Sequence, residues 1–132
     1  MHGMCLVVGE KPELLLEKYA DWATDQGGKF DWFEIGGRFK GYLKLKSPRP
    51  VGALKRLFGG RPITEVNQAT KQEIDQAAIK ANTPTAIIFE GEWLECPLTS
   101  EQSALEDWSR TFQTVFERIP SDVLLTVVDF HS

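Results

Sequence analysis

FDWFEIGGRFKGYLKLK, Phe30 to Lys46, is the stretch on which the reading of the fold turns. Aromatic and branched residues flank Gly36-Gly37, which reads as two strands joined by a two-residue turn. In that register Ile35 faces Arg38, Phe33 faces Lys40 and Asp31 faces Tyr42, while Phe30, Trp32, Phe39, Leu43 and Leu45 share the opposite, core-facing side. Trp32 is then expected to cover the bare backbone of Gly41. The other face carries Asp31, Phe33, Arg38, Lys40, Tyr42, Lys44 and Lys46, a mixed aromatic and basic surface.

Around this hairpin the chain has 132 residues, 42% of them hydrophobic, with four Trp and eight Phe. That is enough apolar volume for one domain, residues 1–132, without a disulfide or metal to support it. Cys5 and Cys96 have neither Cys-x-x-Cys nor zinc spacing, so no cofactor or metal is expected and a reducing cytoplasm is. No apolar run approaches the roughly 18 residues of a membrane span. Net charge is −4, but no acidic residue lies between Glu34 and Glu65. Arg38, Lys40, Lys44, Lys46, Arg49, Lys55, Arg56 and Arg61 fall in that interval, eight of fifteen cations, which leaves seven against 19 carboxylates elsewhere. A basic flank on an acidic body suits an anionic partner.

Met4 to Val8 reads as a strand buried on both faces. Pro12 opens a helix carried by Leu15, Leu16, Tyr19, Trp22 and Ala23 until Gln26, Gly27 and Gly28. After the hairpin, residues 47–63 are a basic excursion with a helical turn over Val51 to Phe58, and Thr64 to Ala81 reads as a helix. Thr85 to Phe89 and Trp93 to Cys96 flank Glu90-Gly91 as a second hairpin. Thr99 and Gln102 fit a capping box before the clearest stripe in the chain, Leu105, Trp108, Phe112, Val115, Phe116 and Ile119. Val123 to Val128 is the closing strand. The order predicts an α+β fold: a mixed, mostly antiparallel sheet with helices packed on one face, ferredoxin-like with an added hairpin.

Asp129 and His131, two apart on that last strand, project from one face, where a carboxylate can orient an imidazole. Arg38, directly after the glycine pair, is a forked donor for carboxylate or phosphate, or a salt-bridge partner of Asp31 or Glu34. No nucleophile accompanies them, and Gly36-Gly37 begins no phosphate loop. Phe39, Tyr42 and Phe58 among the cations have the makeup of a single-strand nucleic-acid surface. His2 is expected to be disordered.

The segment Asp31-Trp32-Phe33-Glu34-Ile35-Gly36-Gly37-Arg38-Phe39-x-Gly41 resembles the Asp-Trp-Tyr-x-Ile-Gly-Gly-Arg-Trp-x-Gly signature of a group of small phage, prophage and bacterial proteins of uncharacterised function. Ala86 to Trp93, with Gly91-Glu92-Trp93, resembles that group's Ala-rich strand followed by Gly-x-Trp, and Leu124 to His131 resembles its Val-Val-Asp-Cys-His ending. Phe33, Phe39 and Phe130 depart from it, and loss of the Cys argues against a terminal thiol mechanism. The resemblance implies a phage or mobile-element origin. It singles out Trp32, Gly36, Gly37, Arg38, Trp93, Asp129 and His131.

The sequence thus favours a binding protein over an enzyme: a phage-type accessory protein in the host cytoplasm that binds a host macromolecule, with inhibition of a defence system as one form. The binding residues expected are Asp31, Arg38, Lys40, Tyr42, Lys44, Asp129 and His131. The alternatives are a small enzyme or ligand-binding protein for a phosphorylated or nucleotide-like molecule, and nucleic-acid binding through the block from Arg38 to Arg61. No membrane partner is expected.

Overall fold

Two long apolar runs, at either end of the chain, lie side by side at the centre of the sheet. In the computed structural model, which describes residues 1–24 and 27–132, β1 (His2–Val8) and β8 (Leu124–His131) pair antiparallel over seven residues, from His2↔His131 to Val8↔Leu125. Both runs are buried on both faces, which is why neither alternates. On the far side of β1, β6 (Ala86–Phe89) pairs parallel and turns through Glu90 and Gly91, both at positive φ, into β7 (Glu92–Glu95). That second hairpin is as the sequence predicts.

β2 (Trp32–Ile35) and β5 (Gln68–Thr70) share the other edge of β8, one on each half of it. The sheet order is β2-β8-β1-β6-β7 with β5 beside β8, and every pairing except β1 with β6 is antiparallel. The α+β class with a mixed, mostly antiparallel sheet is therefore observed. As in a ferredoxin-like sheet, β1 lies between one parallel and one antiparallel neighbour; β7 follows β6 rather than preceding it.

α4 (Gln102–Glu117) packs Trp108, Phe112, Val115 and Phe116 against Leu6, Ile87 and Leu125 on one face, as its stripe predicts. Ile79 of α3 (Gln76–Ala81) joins the same cluster. The expectation placed the helices on one face, and α3 and α4 do share one; the short α1 (Pro12–Glu17) lies on the other, with Leu16 and Ala20 against Cys5, Phe30, Val128 and Phe130. α1 is shorter than predicted, continuing as a separate 3-10 turn over Asp21–Ala23. Gln26, expected to help stop it, lies outside the described residues. Thr99 and Gln102 form no capping box. Glu101 is the cap residue, and the Thr99 hydroxyl accepts from its N–H.

Residues 64 to 81 are not one helix. They divide into β4 (Ile63–Val66), β5, a 3-10 turn at Lys71–Glu73 and α3. The apolar stripe there is weak, and pairing with the open edge of β8 outweighs local helix preference. One consequence is that buried Lys71 reaches the end of α4. Its Nζ donates to the carbonyls of Phe116 (2.9 Å) and Ile119 (2.8 Å), where the last turn of the helix gives way to the following loop; the Phe116 carbonyl also accepts the Ile119 N–H. Burial pulls the ammonium below its ordinary range, partly opposed by the Glu117 carboxylate. Lys71→Met, which keeps the length but removes the donor, is expected to lower stability by about 1–3 kcal/mol in urea unfolding.

The predicted hairpin at Phe30 to Lys46 does not form either. β3 (Leu43–Arg49) pairs with β4 in a separate two-stranded sheet, and a 3-10 turn over Gly37–Phe39 stands where the reversal was expected. Because β2 takes its register from β8, the faces are exchanged relative to the prediction: Phe33 and Ile35 pack on the Phe30 cluster, whereas Trp32 is 41% exposed. A shift of one residue moves every side chain of a strand to the other face. Gly41 is covered by Glu65, not by Trp32.

Candidate functional site

The site is built at the junction where β2 ends and β5 begins along β8. Val127, at that junction, accepts from the Gly36 N–H and donates to the Asn67 carbonyl, both at 2.9 Å. The chain leaves β2 through Gly36 (φ 77°) and passes over β8 at Gly37 (φ 52°). A Cβ on Gly37 would lie 2.6 Å from the Asp129 Cβ, so only glycine satisfies both the conformation and the space. The next N–H, that of Arg38, donates to Asp129 Oδ2 at 3.0 Å. The glycine pair is thus a close crossing over a buried carboxylate.

Asp129 is 1% exposed and both its oxygens are engaged. Oδ1 lies 2.8 Å from His2 Nδ1, so a deprotonated Asp129 assigns the imidazole proton to Nδ1. His2 sits across from His131 in the β1–β8 ladder, and Trp32 sits across from His131 on the far side, a single rung of three aromatic rings. The His2 ring meets the His131 ring edge-on at 5.1 Å and the Trp32 ring at 5.8 Å. His131 Nδ1 is 2.9 Å from Asp31 Oδ1, a second imidazole–carboxylate pair. His2, expected to be disordered, is instead a strand residue at the centre of this cluster. Its only sequence signal is that it extends the Met4 to Val8 run towards the terminus.

A cleft of about 480 Å³ opens here, lined among others by His2, Trp32, Glu34, Arg38, Asn67 and Asp129. Of the residues predicted for the site, Arg38, Lys40 and Asp129 line it, and Asp31 with His131 forms the neighbouring pair. Asp129 and His131 do not pair with one another; each has another partner. Arg38 forms no salt bridge with Asp31 or Glu34, and its guanidinium makes no ion pair among the described residues. Tyr42 and Lys44 lie elsewhere, around a hollow of about 260 Å³ that shares Lys40 with the cleft. The Tyr42 hydroxyl donates to the Asn82 carbonyl, and burial raises its phenol. Lys44 bonds Glu65 at 2.7 Å and the Gly41 carbonyl at 2.8 Å.

Pairing leaves the basic block unevenly neutralised. Lys44 joins Glu65 and Arg49 joins Glu73 at 3.0 Å, while Arg38, Lys40, Lys46, Lys55, Arg56 and Arg61 form no ion pair among the described residues. The arm formed by β3, α2 (Ala53–Leu57) and β4 is rooted in the main core through buried Leu43 and partly buried Leu45 and Val66. Its tip, residues 52–59, is exposed throughout. There Leu54 (70% exposed), Leu57 (81%) and Phe58 (83%) follow the i, i+3, i+4 spacing of one helix face. Among the described residues no helix is long and apolar enough to cross a membrane.

Searches against protein-family models, curated proteins and solved structures return no match to the chain. What fold and geometry define is a class: an α+β domain with an imidazole–carboxylate cleft at one end of its sheet and a basic arm with an exposed apolar face.

Proposed function

We propose that the protein acts by binding, as a phage-type accessory protein whose arm engages an acidic host protein. The observation that carries this is the exposed face of Leu54, Leu57 and Phe58, with Lys55 and Arg56 between Leu54 and Leu57 in the sequence. Burial of such a side chain stabilises by roughly 1.5–3 kcal/mol, and no surface among the described residues supplies it. Large apolar groups exposed together mark an interaction surface. The unpaired cations around them favour a partner whose apolar groove has an acidic rim. The phage origin is supported by the resemblance of Asp31 to Gly41 and of Leu124 to His131 to the phage and prophage group, which brings no established activity with it; inhibition of a defence system is one form of the proposed binding.

The test compares the full chain with Leu57→Asp/Phe58→Asp as baits in a bacterial host lysate, followed by direct titration of purified candidates. The expected result is an acidic protein that binds the wild type and loses at least about tenfold in affinity with the variant. Both side chains are exposed, so the melting temperature should be unchanged. A purified partner that binds both forms equally would overturn the arm as the surface. So would preferential binding of a single-stranded oligonucleotide with affinity falling steeply as salt rises.

A further inference from the structure

We infer that the cleft beneath Arg38 is a second, separate site, which binds a small phosphorylated aromatic molecule of the nucleoside monophosphate class. Its volume, about 480 Å³, falls within the roughly 300–1,000 Å³ of small-molecule sites. Trp32 lines it with 41% of its surface exposed although Phe33 and Ile35 already fill the core side of the same strand. An indole that the core does not use is a stacking platform for a base. Glu34, two residues on and so on the same face as Trp32, offers a carboxylate to sugar hydroxyls. Past the glycine crossing, Arg38 and Lys40 line the cleft as cations with no ion pair among the described residues. A guanidinium is suited to a phosphate by its planar fork of donors.

The crossing gives this set its order. The Arg38 backbone is fixed by its N–H on buried Asp129, so the side chain starts from a rigid point while its head stays uncommitted. The Asp129 charge, which would repel a phosphate, is met by that N–H and by His2. Asn67 accepts the Gly41 N–H through Oδ1 at 2.8 Å, which leaves its side-chain NH₂ as a donor at the cleft wall. Ring, hydroxyl and phosphate partners thus come from one continuous stretch, Trp32 to Lys40, ordered by its pairing to β8.

The experiment is calorimetric titration of the full chain, at fixed ionic strength, with the four ribonucleoside 5′-monophosphates, the four nucleosides and inorganic phosphate. At least one monophosphate is expected to bind with a Kd of about 1 mM or tighter, and at least about tenfold more tightly than its nucleoside or phosphate alone. Arg38→Gln, which keeps the backbone N–H on Asp129, should lose about tenfold for the monophosphate and little for the nucleoside. Trp32→Ala should weaken both. Failure of every monophosphate to bind, equal binding of phosphate alone, or binding indifferent to both variants would overturn the site. Arg38→Gln leaves Leu54, Leu57 and Phe58 intact, and the arm variant leaves the cleft intact, so each reading fails on its own.

Discussion

Phe30→Ala is expected to lower stability by about 3–5 kcal/mol, the range for emptying a large buried aromatic site. Phe30 is fully buried, and its ring lies within 5.6–6.3 Å of those of Trp22, Phe33, Trp93 and Phe130. Those rings come from four separate stretches of chain, so relaxation of any one cannot refill the space. Its backbone also bridges Ala20, and its carbonyl accepts the Asp21 N–H at 2.8 Å, which ties the segment after α1 to the sheet. Urea unfolding followed by tryptophan fluorescence measures the loss. A change below about 1 kcal/mol would mean that the aromatic cluster is not the second core of the molecule.

Gly37→Ala should cost about 2–4 kcal/mol, the sum of a left-handed backbone carrying a Cβ and an overpacked contact with Asp129. The two contributions can be separated. Gly59 has φ 81° with nothing within 4 Å of a built Cβ, so Gly59→Ala carries the conformational cost alone. The excess of Gly37→Ala over Gly59→Ala is the steric price of the crossing, and equal losses would deny that the loop lies against Asp129. Because displacing Asp129 also releases His2, the Gly37 variant should change the His2 ring signals in NMR, and the Gly59 variant should not.

These two positions show why the Phe30 to Lys46 stretch was only partly legible. Phe30 as core and a turn at Gly36-Gly37 were readable because side-chain size and the absence of a Cβ are local properties. The partner of the strand was not. A two-residue turn between apolar segments is satisfied equally by a hairpin, and nothing within the segment records that β8 offers an open edge 90 or more residues later in the chain. Once β8 supplies the register, Trp32 and Phe33 exchange faces, and a residue assigned to the core becomes a wall of the cleft.

The same division holds for the site. Arg38, Asp129 and His131 stood out by residue type and spacing, and Arg38 and Asp129 do meet, though through a backbone N–H that no sequence pattern announces. His2 could not be placed, since a residue next to the terminus acquires a position only from the strand it pairs with.

By itself the sequence determined the buried β1 and β8 runs, the β6–β7 turn, the α4 stripe and the basic block, because burial periodicity, turn conformation and net charge are set by neighbouring residues. How β1, β2, β6 and β8 pair, which face of β2 is wet and which imidazole meets which carboxylate were decided only in the tertiary structure, because each depends on contacts between residues about 80 to 130 positions apart whose register no local preference can encode.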